Sequence, residues 1–184
     1  KDIVFADIDF LPLKSYTNIV EGNALKIDWE TIVPKDKLSY IIGNPPFIGH
    51  SLQNSVQKSE IKSIFVDEFG KPYRLSGKID YVAGWYFKAS ELMYGTNIRT
   101  AFVSTNSITQ GEQVAGIWKP LIERFGVKID FAWRTFVWNS DASEKAKVHC
   151  VIIGFSINAN VKEFTLFDNE LVNVVSKINP YLVE

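Results

Sequence analysis

The segment Leu-Ser-Tyr-Ile-Ile-Gly at 38–43 runs straight into Asn44-Pro45-Pro46-Phe47, and this junction constrains the fold more than any other feature of the sequence. A short apolar run closed by such punctuation reads as a buried strand that stops abruptly. Pro45 holds Asn44 out of the helical region, and Pro46 has a fixed φ and no N–H to offer a ladder. The chain must therefore leave its strand at residue 44 in a rigid turn. In open α/β sheets, ligands bind at the carboxyl ends of strands, so the turn stands where a site is expected. The alternative is a rigid loop whose Phe47 fills the core.

Around this junction, strand and helix patterns alternate. Residues 18–21 read as a short strand ending at Gly22. Residues 53–69 carry an irregular helical stripe with Lys58 and Lys62 opposite, and 80–94 a stronger one closed by Gly95. Residues 99–104 read as a buried strand, and 112–125 as a helix that Pro120 should kink or break before Gly126 stops it. Three strand-like runs follow at 127–133, 147–156 and 161–167, the last two forming a hairpin joined near 158–160. The expectation is an α/β fold, with a mostly parallel sheet and an antiparallel C-terminal hairpin.

The 184 residues suit one domain, and 46% hydrophobic with 22% charged residues is a globular balance. No run of eighteen apolar residues and no secretory signal is present, which predicts a cytoplasmic protein without membrane contact. The single cysteine, Cys150, lies in an apolar run and reads as a buried strand thiol. With only His50 and His149 besides, no metal site can be argued. His149 reads as a core histidine and His50 as a loop residue. The formal net charge of -1 gives no global pull on phosphates, whereas 14% aromatic residues leave room for base stacking.

An Asn-Pro-Pro-aromatic turn suits methyl transfer to an exocyclic amine. The N6 lone pair of adenine is delocalised into the ring, and an acceptor pair binding both N6 hydrogens would free it for in-line attack on a sulfonium methyl. Asn44 offers its side-chain carbonyl and Pro45 its rigid backbone carbonyl. Pro46 fixes the turn. Phe47 offers a stacking face for a base taken out of the duplex.

With the strings IVEGNALKIDW, IIGNPPFIGH, KIDYVAGWYFKASELM, RTAFVSTNSITQGEQV, FAWRTFVWNSDASEKAKVHCVIIGF and INPYLVE in this order, the chain resembles the class I N6-adenine DNA methyltransferases of the gamma arrangement. More narrowly it resembles the methyltransferase domain of large type II restriction enzymes that fuse nuclease, methyltransferase and target recognition. The resemblance implies a Rossmann-like fold, S-adenosylmethionine as cofactor and double-stranded DNA as partner. It assigns catalysis to Asn44, Pro45, Pro46 and Phe47, cofactor contacts to Asn23, Ala24, Leu25 and Asn44, and base stacking to Phe136 or Trp138 opposite Phe47. Asn23 stands where the family often has an acidic residue, and from sequence it could equally be a turn residue. Leu25 could pack on the cofactor or the core. Asp80 suits a helix N-cap, Tyr81 and Phe87 suit the core, and 104–107 (Ser-Thr-Asn-Ser) would shape the target pocket or cap the next turn.

The family's glycine-rich cofactor loop is expected upstream of Gly22, where no glycine occurs. Residues 1–184 are therefore expected to be the catalytic half of a methyltransferase domain, without the N-terminal cofactor loop, target-recognition and nuclease regions. Alone, such a piece is expected to bind cofactor weakly or not at all and to be inactive. Methylation of an RNA base or a protein glutamine, and a non-catalytic domain keeping the fold, are the competing expectations. Basic residues at 58, 62, 71, 74 and 78 could track phosphates, although interleaved Glu60, Asp67 and Glu68 favour a solvated face.

Overall fold

The computed structural model describes residues 19–138, 147–158 and 160–184. Its strands are β1 (Tyr40–Gly43), β2 (Arg99–Thr105), β3 (Lys128–Trp138), β4 (Val148–Ser156), β5 (Phe164–Asp168) and β6 (Leu171–Val175), forming one sheet in the order β1-β2-β4-β3-β5-β6. Three α-helices accompany them: α1 (Ser55–Ile64), α2 (Ala83–Met93) and α3 (Gly111–Pro120).

The α/β, Rossmann-like class is as expected, and four of the six described strands, β1, β2, β3 and β5, run in one direction. β1 and β2 are parallel, as are β3 and β5, whereas β2–β4, β3–β4 and β5–β6 are antiparallel. The chain between β3 and β4 is too short for a crossover helix, so that pair closes antiparallel. The hairpin expected between 147–156 and 161–167 is absent for a related reason. β4 sits between β2 and β3 with both edges paired, so β5 adds to the remaining edge of β3. The C-terminal hairpin is instead β5–β6, turning at Asn169, whose φ of 53° an asparagine tolerates. β6 at Leu171–Val175 is a strand beyond those expected.

Other boundaries also moved. Residues 19–21 form no strand, and Asn18 lies outside the described residues. β1 is an outer strand of the described sheet rather than a buried one, with Ile42 81% exposed. Helix α1 opens with a reciprocal cap, in which Asn54 Oδ1 accepts from Gln57 N (2.9 Å) and Gln57 Oε1 from Asn54 N (3.0 Å). It ends short of the expected 69 because Asp67 Oδ1 accepts from Phe69 N and Lys71 N, folding 67–71 into a turn around Gly70. The α-helical stretch ends at Pro120, where a break was expected. The chain widens into a π-helical turn, Leu121–Phe125, and Gly126 at φ 74° ends it by donating to Ile122 O.

The helices pack on one sheet face around Tyr86. Its ring stacks on Phe155 (5.1 Å, 14°), meets Phe102 and Trp118 edge-on, and its hydroxyl lies 2.9 Å from Ser104 Oγ. Gly116 lets α3 approach closely, since a Cβ there would lie 2.6 Å from Ile79 Cγ2. On the other face the Phe131 ring lies against Gly154, and Trp133 stacks on Phe167 at 5.2 Å.

Candidate active site

Register alone assembles the candidate residues at one end of the sheet. Gly43 pairs with Phe102, so the turn at 44–47 leaves beside the carboxyl end of parallel β2. Thr105, three residues further along β2, pairs with Cys150 of β4, and Cys150 pairs with Phe136 of β3. The Asn-Pro-Pro-Phe turn, residues 104–107 and the Phe136–Trp138 pair thus share the end at which an α/β sheet binds ligands. Asn44 is exposed, Pro45 buried and Phe47 half-buried.

Behind the turn, Asp80 draws three segments together. Its Oδ1 accepts from His50 N (2.9 Å), its Oδ2 accepts from the Ser107 hydroxyl (2.5 Å), and its N–H donates to Gln113 Oε1 (3.0 Å). Ser107 also lies 2.9 Å from Thr105 Oγ1. The helix N-cap expected of Asp80 is not its role. Helix α2 starts three residues later, and Val82 at its cap position makes no side-chain cap. Gln53, on the same loop as the turn, donates to Ile79 O at 2.8 Å and fixes that loop a second time.

The loop carrying Asn23 is held just as firmly. Asn23 Oδ1 accepts from Leu25 N (2.9 Å), and its Nδ2 donates to Glu60 Oε1 (3.0 Å). Glu60 Oε1 also pairs with Lys26 (3.0 Å), and its Oε2 accepts from the Tyr81 hydroxyl (2.5 Å). These donors, Tyr81 foremost, hold the Glu60 carboxyl below the usual carboxylate range, while burial and the neighbouring carboxylate push Tyr81 up to about 12. The Leu25 side chain goes to the core, Ala24 is half-exposed and Asn23 exposed. Lys88 donates to Leu25 O and Ile27 O, and Trp29 Nε1 donates to Ala24 O at 2.8 Å, so this loop is tied down from three sides.

Phe136 and Trp138 share one face, with centroids 6.4 Å apart, and Trp138 is 45% exposed. Two strands lie between β1 and β3, so their axes are about 14 Å apart. Among the described residues Phe47 makes no ring contact with either aromatic. Ser104 is drawn into the core by Tyr86 rather than left to a pocket, whereas Asn106 is half-exposed.

Some expectations need correction. Glu60 is buried rather than part of a solvated face, because its three partners compensate the carboxylate. Nothing in the local pattern of α1 reveals this; only the spatial return of Asn23 and Tyr81 does. His149 is exposed, not a core histidine. Tyr81 and Phe87 are core residues, and Cys150 is fully buried with its thiol pushed up by that burial. Lys58, Lys62, Lys71, Arg74 and Lys78 are all exposed, the last paired with Glu112. Among the described residues no helix is long and apolar enough to cross a membrane, and no cluster of three metal-ligating side chains occurs.

Comparison with known proteins gives concordant matches. The family described as MmeI, DNA-methyltransferase domain, matches residues 2–168. DNA methyltransferase A of Bacillus subtilis (strain 168) is 39% identical over 178 residues, which cover 95% of this chain and 19% of that protein. The structure of the Type IIL restriction-modification enzyme MmeI in complex with DNA is 44% identical and superposes with a TM-score of 0.84, covering 94% of this chain and 23% of that one. A modification subunit of a putative type I restriction enzyme from Vibrio vulnificus YJ016 shares the fold at 13% identity and a TM-score of 0.50, over 85% of this chain and 30% of that one. The chain therefore spans about a fifth of the two more similar relatives.

Proposed function

This chain belongs to the MmeI DNA-methyltransferase domain family, and from that premise we propose that it carries the catalytic turn of an enzyme that methylates the N6 amine of an adenine flipped out of double-stranded DNA, with S-adenosylmethionine as donor, within a restriction-modification system. The observation that carries this reading is the convergence of Asn44-Pro45-Pro46-Phe47 with residues 104–107 and the Phe136–Trp138 pair at one sheet end.

The residues present fit the adenine end of such a cofactor. Asn23 and Ala24 form an accessible edge of a loop fixed by Glu60, Lys88 and Trp29, and among the described residues no hydrogen bond engages the main-chain N–H of either. When bound, S-adenosylmethionine supplies a sulfonium methyl group electrophilic enough for an amine to attack. Asn44 Oδ1 and the Pro45 carbonyl accept the two N6 hydrogens, so the nitrogen lone pair is turned out of ring conjugation. Because Pro46 fixes the backbone, these acceptors need no reorganisation when the base arrives. Phe47 holds one face of the base, and Phe136 or Trp138 holds the other. No strongly basic side chain is required, since the amine loses its proton only as the methyl bond forms.

Replacing Asn44 with Ala in the intact protein containing this chain should lower transfer of labelled methyl to duplex DNA by at least about 100-fold, with the unfolding midpoint unchanged, because an exposed side chain is removed. Transfer at the parental rate would show that Asn44 is not an acceptor for the target amine.

A further inference from the structure

Resting on the reading above, we propose that Asp80 is a positioning residue for methyl transfer, joining the catalytic turn to the 104–107 segment, and that Tyr81 beside it extends the joint to the Asn23 loop.

Asp80 is buried, with its side chain 7% exposed. Burying a charge is costly, and a carboxylate that served only its own helix would bond the first-turn N–H groups of α2. Asp80 instead spends its acceptors on residues from elsewhere in the sequence. His50 N–H comes from 30 residues away and the Ser107 hydroxyl from 27, while Gln113, 33 residues away, receives the Asp80 N–H. His50 follows the catalytic turn by three residues and Ser107 follows the end of β2 by two, so the two sides of the proposed target pocket are bonded to the two oxygens of one carboxylate.

Tyr81 repeats the arrangement one residue on. Its N–H donates to Ile48 O at 2.9 Å, on the catalytic loop, and its hydroxyl binds Glu60, which holds Asn23 and Lys26. Two consecutive residues therefore set the turn that would hold the base, the strand end that would face it and the loop that would hold the cofactor. The loops at 48–50 and 104–107 share no strand ladder beyond β1–β2, and Asp80 bonds one side-chain oxygen to each of them. Displacement of a reacting group by about 1 Å can cost on the order of 100-fold in rate.

The test uses the intact protein, with N6-methyladenine formation in duplex DNA as activity and fluorescence of 2-aminopurine at the target position as the report of base flipping. Asp80→Ala should lower kcat by about 10- to 100-fold, with KM for DNA changed less than about 3-fold and the 2-aminopurine signal reduced. Asp80→Asn keeps one acceptor for His50 N–H and lets the Ser107 hydroxyl reverse its bond, so it should recover most of the loss. Ser107→Ala, which keeps the carboxylate, should lower kcat by about 3- to 10-fold, with no added loss when combined with Asp80→Ala. If Asp80→Ala does not fold, Ser107→Ala and Asp80→Asn still decide. Parental kcat and flipping in Ser107→Ala, or equal losses in Asp80→Asn and Asp80→Ala, would overturn the positioning role. Failure of Asn44→Ala to affect transfer would instead overturn the reading on which it rests.

Discussion

At the scale of single residues, the site is a set of exposed chemical groups backed by buried polar ones. Asn44 and Asn23 are exposed, and the groups that fix their loops, Asp80 and Glu60, are nearly inaccessible. Glu60 makes the arrangement sensitive to pH in a defined direction. Its folded pKa lies below the ordinary value of 4.5, so its contribution to stability is fully present above that value and is lost as pH falls through the lower folded one. Acid titration of the unfolding free energy should therefore show a slope below pH 4.5 that Glu60→Gln makes shallower. Trp29, bonded to Ala24, should report the same event as a change in its emission that a Trp29→Phe control removes. An unchanged slope in Glu60→Gln would mean that the carboxylate is not the group that ties the loop. Neither buried carboxylate was legible as a clamp in the sequence. Asp80 stands before a helix where an N-cap is the local solution, and Glu60 stands among lysines where a solvated face is. Their partners are brought to them only by the tertiary fold.

At the scale of elements, what local chemistry dictates was readable and what pairing dictates was not. The two prolines end β1 where expected, and Gly95 and Gly126, both at positive φ, end α2 and the π-helical turn after α3. The hairpin was misjudged because strand neighbours depend on which edges remain open, which no local pattern encodes. At Pro120 the α-helix gives way to a π-helical turn rather than to a loop, a continuation that no local pattern encodes. The tightest helix contact gives a sharp prediction at this scale. A methyl group at 116 would meet Ile79, itself 1% exposed, so Gly116→Ala should destabilise the fold by about 1–2 kcal/mol despite alanine's better helix propensity. Denaturant unfolding measures this, and a stabilised variant would show that α3 and the segment before α2 do not pack so closely.

At the scale of the whole molecule, a chain with a formal net charge of -1 carries a site read as acting on a polyanion. The two statements are compatible because the proposed recognition of one base rests on stacking and paired acceptors rather than on a basic field. The strand order explains how residues separated by nearly a hundred positions meet: β1, β2, β4 and β3 lie side by side, and each contributes its part at the same end. That convergence makes methyl transfer to a flipped adenine the central claim. Its most direct test is to incubate the intact protein containing this chain with methyl-labelled S-adenosylmethionine and duplex DNA, digest the product to nucleosides and identify the labelled one by mass spectrometry. The expected product is N6-methyladenine, absent when Asn44 is replaced by Ala; label in N4-methylcytosine, in RNA or in a protein side chain would contradict methyl transfer to adenine.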